Sequence, residues 1–107
     1  MHAFLKQVAK LDLPVFVTEF DIDNSNLAAK SEKREKQVAQ LCRDYLKNVL
    51  KHLQVTAVLA WGMVSHPARE KAGFDRASEK QHIALPFDEN LRPTPFLSAM
   101  IEAIEKR

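Results

Sequence analysis

Several features are scarce in this sequence, and each scarcity narrows what it can be. Cys42 is the only cysteine, so no disulfide can form within the chain. That fits a reducing compartment and equally fits many secreted enzymes. No apolar run approaches the roughly 20 residues of a membrane-spanning helix, so no membrane partner is expected. The opening residues Met1 to Lys6 lack the long apolar stretch of a signal peptide. Sixteen Lys and Arg interleave with fourteen Asp and Glu, for a net charge of +2. Without a basic tract or basic–aromatic interleaving, no nucleic-acid partner is expected. His2, His52, His66 and His82 fit no metal-ligand spacing, and no second cysteine helps them. Neither a metal nor a cofactor is expected. There is no internal repeat and no low-complexity segment.

What is present is ordinary for a globular protein. The chain has 107 residues, 46% hydrophobic and 28% charged, enough for one small domain. Phe4, Leu5, Val8 and Leu11 have helical spacing, so residues 2–11 read as a short amphipathic helix. It stops at Pro14, because the residue before a proline is pushed out of the helical region.

Residues 14–23, Pro-Val-Phe-Val-Thr-Glu-Phe-Asp-Ile-Asp, read as a strand that begins apolar and ends acidic. Val15, Val17, Glu19 and Asp21 share one parity; Phe16, Thr18, Phe20 and Ile22 share the other. On a strand the two sets face opposite sides of a sheet. Buried carboxylates are costly, and sites in parallel α/β folds sit at carboxyl ends of strands. Two carboxylates there mark either a site or a strand that leaves the core at Glu19.

Asn24 to Lys30 reads as a loop, and Ser31 as the cap of a second helix. Its stripe runs through Val38, Leu41, Cys42, Tyr45, Val49, Leu50 and Leu53, which places Cys42 in the core. Val55 to Val64 is almost continuously apolar, as expected for a parallel strand covered on both faces. Residues 65–80 read as a polar loop, and 83–88 as a short apolar return. Thr94 then caps a last helix with Pro95 at its first position and a stripe of Leu97, Met100, Ile101 and Ile104. The order is βαβα with a helix in front, an α/β pattern.

Four segments carry a family resemblance. Val17-Thr18-Glu19-Phe20-Asp21-Ile22 resembles the strand-seven signature of the family 10 glycoside hydrolases, the endo-β-1,4-xylanases. Arg34-Glu35-Lys36-Gln37-Val38 is similar to that family's Arg-x-x-Gln-Ala helix start. Thr56 to Gly62 resembles its eighth strand, which ends in Trp-Gly. The run Leu85 to Pro95 looks like its closing motif, Leu-Leu/Pro-Phe-Asp followed by Pro-x-Pro.

The resemblance implies that residues 1–107 are the C-terminal part of a (β/α)₈ barrel, incomplete on its own: α6-β7-α7-β8-α8. A whole barrel needs about 250 residues. It further implies Glu19 as the catalytic nucleophile of a retaining glycosidase acting on xylan, with no cofactor. The second carboxylate of such a pair stands about 5–5.5 Å away and protonates the leaving oxygen. In the family it lies on strand four, in a Trp-Asp-Val-Val-Asn-Glu-like segment that nothing here matches. The steadying strand-six histidine also has no counterpart. Trp61 is the implied sugar-stacking residue, with a core tryptophan as its alternative. Asp21 is a supporting group that orients its neighbours; Glu19 and Asp21 rise from one wall and do not make a pair flanking a bond. Family members commonly carry Asp and Trp where this sequence has Ser65 and Arg69, which weakens the expected grip on the sugar.

Two functions follow. One is an enzyme fragment that needs the rest of the barrel for its acid/base group. The other is a catalytically inactive module. Two parallel strands leave free edges, so self-association or pairing with the missing N-terminal part is expected. The exposed surface is expected to be the face of Val15 and Val17.

Overall fold

A computed structural model of the chain describes residues 1–64 and 83–107. The expected 65–80 loop, with Ser65, Arg69 and His66, and also His82, lies outside the described residues. Helix α1 (His2–Ala9) leads into strand β1 (Val15–Phe20) and the two-residue strand β2 (Ile22–Asp23). Helix α2 (Ser31–Val49) returns to strand β3 (Val55–Ala60); strand β4 (Ile83–Ala84) and helix α3 (Pro95–Glu105) close the chain.

β1 and β3 pair in parallel, with α2 as the crossover between them. The helices supply the apolar cover. Leu5 of α1, Val38, Ala39, Cys42, Leu46 and Val49 of α2, and Phe96, Ala99 and Met100 of α3 form one core with Phe20, Leu50 and Val55. This is a piece of an α/β fold: two parallel strands with helices packed on one side. β2 pairs antiparallel with β4, Ile22 facing Ala84 and Asp23 facing Ile83. That short ribbon extends the carboxyl end of β1.

Several local expectations are corrected. The strand expected over 14–23 is broken after Phe20, because the chain there turns to meet β4 rather than β3. The strand expected over 55–64 ends at Ala60, and Val64 instead bridges Phe87. Ser31 is the first helical residue rather than the cap; Lys30 holds the cap position and no side chain bonds there. The buried stripe of α3 is Phe96, Ala99 and Met100, while Ile101 and Ile104 are exposed. The helix is rotated so that Phe96, Ala99 and Met100 join the core that α2 shares. Thr94 does hold the cap position of α3, but its hydroxyl donates to the carbonyls of Leu85 and Pro86, at 2.8 and 3.0 Å. It therefore pins the preceding loop instead of satisfying helix N–H groups.

The larger correction concerns the sheet faces. Val15 and Val17 were expected on the open face, yet they pack against the helical core. Phe16, 58% exposed, is on the open face instead, with Leu59 of β3 at 50%. The physical reason is a break in alternation. Glu19 has φ of 55°, in the left-handed region. Between the pairs Val17↔Val58 and Phe20↔Ala60, β1 advances three residues and β3 two. That extra residue is a bulge, and it turns Phe20 onto the side of Val15 and Val17. Strict parity would have left Phe20 with Phe16.

Candidate active site

Glu19 and Trp61 lie at the carboxyl end of the parallel pair. The last registered pair is Phe20↔Ala60. Glu19 immediately precedes it on one strand, and Trp61 immediately follows it on the other. Trp61 is 58% exposed in this chain, as much as Phe16 of the open face. Gly62 next to it has φ of 104°, which a residue with a Cβ adopts only at a cost. The glycine lets β3 turn away immediately after presenting Trp61.

The backbone at Glu19 is unusual for a different reason. A left-handed conformation costs a residue bearing a Cβ roughly 1–2 kcal/mol. Glu is not among the residues that visit it readily. Strain of this kind persists where surrounding structure enforces it and clusters at functional sites. Here the enforcement is visible on both flanks: Val17 and Phe20 are both held in the β3 ladder and the core.

Asp21 follows, half-buried, between the bulge and β2. Its carboxyl is raised above the ordinary value, first by desolvation and then by the negative charges of Asp23 and Glu19. Asp23 also accepts the Ser25 N–H at 2.8 Å, which tightens the exit turn. Glu19, Asp21 and Asp23 share an open concavity of about 470 Å³ with Val17, Thr18, Leu41 and Tyr45. Tyr45 stacks on Phe20, ring centroids 5.3 Å apart. This concavity follows the outer edge of β1 and does not include Trp61. The acidic groups and the tryptophan thus share a sheet end without sharing one closed pocket.

Asp23 and Tyr45 were not singled out as site residues from the sequence. Asp23 has the parity of Asp21, a usable signal; Tyr45 was hidden inside the α2 stripe. Asp88, the acidic residue of the apolar return, has a different task. Its Oδ1 accepts the N–H groups of Asn90 and Arg92 at 2.8 and 2.9 Å. It folds the turn that places Leu91 at φ of 61°. It is a turn residue and not a partner for Glu19. Cys42 is fully buried, and desolvation pushes its thiol up to about 12, partly offset by Arg43. It is core, as its place in the helix stripe implies. Among the described residues, no group of three or more His, Cys, Asp or Glu could hold a metal ion. Nor is any described helix long and apolar enough to cross a membrane.

The chain is thus a parallel strand pair with a covering crossover helix, with Glu19 and an exposed Trp61 at the carboxyl end of the pair. The family model "Glycosyl hydrolase family 10" matches residues 1–103, and the chain belongs to that family. The model is similar to native xylanase 10B from Thermotoga maritima, 30% identical with a TM-score of 0.70. That alignment covers 95% of this chain and 30% of the xylanase. Xylanase 10B from Thermotoga petrophila RKU-1, solved with xylobiose, is also 30% identical, with a TM-score of 0.69 and the same two coverages. Xylanase10C from Cellvibrio japonicus, solved with xylopentaose, shares the fold at 21% identity and a TM-score of 0.69, over 95% of this chain and 23% of that one. No match is found among the curated proteins. The chain therefore spans about a third or less of the length of the xylanases it resembles.

Proposed function

We propose that this chain is the α6-β7-α7-β8-α8 portion of a retaining β-1,4-xylanase barrel and supplies its nucleophile, Glu19. The observation that carries this reading is the left-handed Glu19 bulge at the carboxyl end of a parallel strand, within Val-Thr-Glu-Phe-Asp-Ile. In this reading the Glu19 carboxylate attacks the anomeric carbon and forms a glycosyl-enzyme intermediate, which water then hydrolyses. Trp61 stacks on the sugar, since an aromatic plane suits the C–H face of a pyranose. Asp21 is a positioning residue. The acid/base carboxylate comes from the N-terminal part of the barrel, which also covers the face of Phe16 and Leu59. Xylobiose and xylopentaose bound to the related xylanases support a xylan-type substrate.

Two assays test it. The 107-residue chain alone is expected to have negligible xylanase activity, because general acid catalysis contributes roughly 10²–10⁴-fold and its donor is missing. Joined to an N-terminal part bearing the acid/base segment, the chain is expected to turn over xylan, and Glu19→Gln to abolish that turnover while folding is retained. Enzyme-like rates from the chain alone, or activity of Glu19→Gln within a few-fold of the parent, would overturn the assignment.

The exposed apolar face favours a second reading, an inactive self-associating module. Phe16 and Leu59 lie on a sheet with free edges, and exposed apolar surface of that kind promotes association. Sedimentation at micromolar concentration separates the two: this reading requires a stable oligomer that gains no activity from an N-terminal part.

A further inference from the structure

At the end of the fold opposite Glu19, a groove of about 450 Å³ runs between the C-terminal halves of α2 and α3. Arg43, Lys47, Lys51, Lys106 and Arg107 line it, with Leu50 and Ala103 as its apolar floor. Among the described residues, the lone acidic lining residue is Glu102, and it is already engaged. It accepts from Arg43 Nε at 2.7 Å and lies 3.6 Å from Lys106 Nζ. The hydrogen bond from Arg43, followed by the charge of Lys106, holds its carboxyl below the usual range. Cations near helix C-termini are favourable for the helix itself, which accounts for Lys47 and Lys106. It does not account for their convergence. Arg43 and Lys47 are four apart on one face of α2, Lys51 follows just past its C-cap Leu50, and Arg107, just past the end of α3, donates to the carbonyls of His52 and Leu53 at 3.2 and 3.0 Å. Two helices thus turn a row of cations around an apolar trough.

We propose that this groove docks an acidic protein segment studded with apolar residues, such as an acidic amphipathic helix. Charge complementarity selects the acidic partner: five cations face one neutralised carboxylate. The apolar floor selects a protein segment over an acidic polysaccharide, because the lining among the described residues has no aromatic plane for a sugar ring. Helix-in-groove recognition uses this combination of apolar anchors and flanking charge. The proposal is independent of Glu19 and of the xylanase reading.

The test is fluorescence anisotropy of the 107-residue chain with a labelled peptide of Glu-Glu-Leu-Glu repeats. Saturable binding that weakens with salt is expected. Lys47→Glu/Lys51→Glu and, separately, Lys106→Glu are expected to weaken it about tenfold or more, since like charges across an interface oppose association. These side chains are exposed, and circular dichroism confirms that the variants remain folded. Three results would overturn the proposal: no binding, unchanged binding by the charge-reversed variants, or equal affinity for a peptide with Ser in place of Leu. Displacement by polygalacturonate at lower concentration than by unlabelled peptide would also overturn it, in favour of a polysaccharide.

Discussion

The two faces of the β1–β3 pair have opposite fates. On one, Val15, Val17, Phe20 and Val55 meet three helices, and the site is dry enough to leave Cys42 and Leu46 with no exposure at all. On the other, one residue away along the same strand, Phe16 is mostly exposed. Both faces carry large apolar side chains; only one is covered. A strand that is apolar on both parities specifies burial on both sides, and the described helices cover one. The difference is what the proposed reading requires, in which the N-terminal part of a barrel covers the second face; the chain spans 30% of the Thermotoga maritima xylanase.

Truncation on the two faces should therefore give the largest contrast. Phe96→Ala is expected to cost about 3–5 kcal/mol, much of the about 5–15 kcal/mol that holds a small domain. Phe16→Ser in the isolated chain is expected to stay within about 0.5 kcal/mol of the parent. Urea titration measures both. Joining the chain to the N-terminal part of a barrel should raise the cost of Phe16→Ser towards that of a buried residue. If Phe16→Ser is as damaging as Phe96→Ala in the isolated chain, the open face is already covered. A concentration-dependent melting temperature would then identify a second copy as the cover.

Much of this contrast was legible in the sequence, and the part that was not has one origin. The α/β order, the parallel pairing and the helix-covered core follow from hydrophobic period and from Pro14 and Pro95, which are local signals. The identity of the covered face does not. Period-two reading assigns faces only while alternation is unbroken, and the bulge at Glu19 breaks it. No residue type announces that bulge, since a glycine or asparagine would have signalled a left-handed position and glutamate does not. The α3 stripe failed for a related reason. Ile101 and Ile104 fit the same helical period, but the face that enters the core carries Phe96, Ala99 and Met100, and period alone does not choose between neighbouring faces. At the site, the motif segments drew Glu19, Asp21 and Trp61 out of the sequence; the turn role of Asp88 required the hydrogen bonds.

The bulge itself gives an effect of intermediate size. If the left-handed backbone at Glu19 is strain held in place by its neighbours, relieving it should stabilise the chain. Glu19→Gly is expected to gain about 1 kcal/mol, less whatever glycine loses in unfolded-state entropy. Glu19→Gln keeps the Cβ and is expected to leave stability unchanged. Thermal unfolding of the three proteins side by side measures the differences. A Glu19→Gly variant less stable than Glu19→Gln would mean that the backbone there is relaxed, and the strain argument for a functional site would lose its footing.

The smallest expected effect is one of pH and belongs to the same sheet end. The Asp21 carboxyl is held above its ordinary 3.8 by desolvation, then by Asp23, then by Glu19. A carboxyl whose folded value is raised binds its proton more tightly in the folded state. Its favourable contribution is complete below 3.8 and is lost as pH rises through the folded value. At neutral pH the ionised Asp21 therefore opposes folding, a cost the helix-covered core must carry. Asp21→Asn removes that charge and relieves its repulsion of Asp23 and Glu19. The variant is expected to melt above the parent at pH 7, with the gap closing as pH falls towards 3.8. A variant that melts below the parent at pH 7, or a gap that does not change with pH, would show that the Asp21 carboxylate stabilises the sheet end. Its role beside Glu19 would then be structural rather than a stability cost accepted for the site.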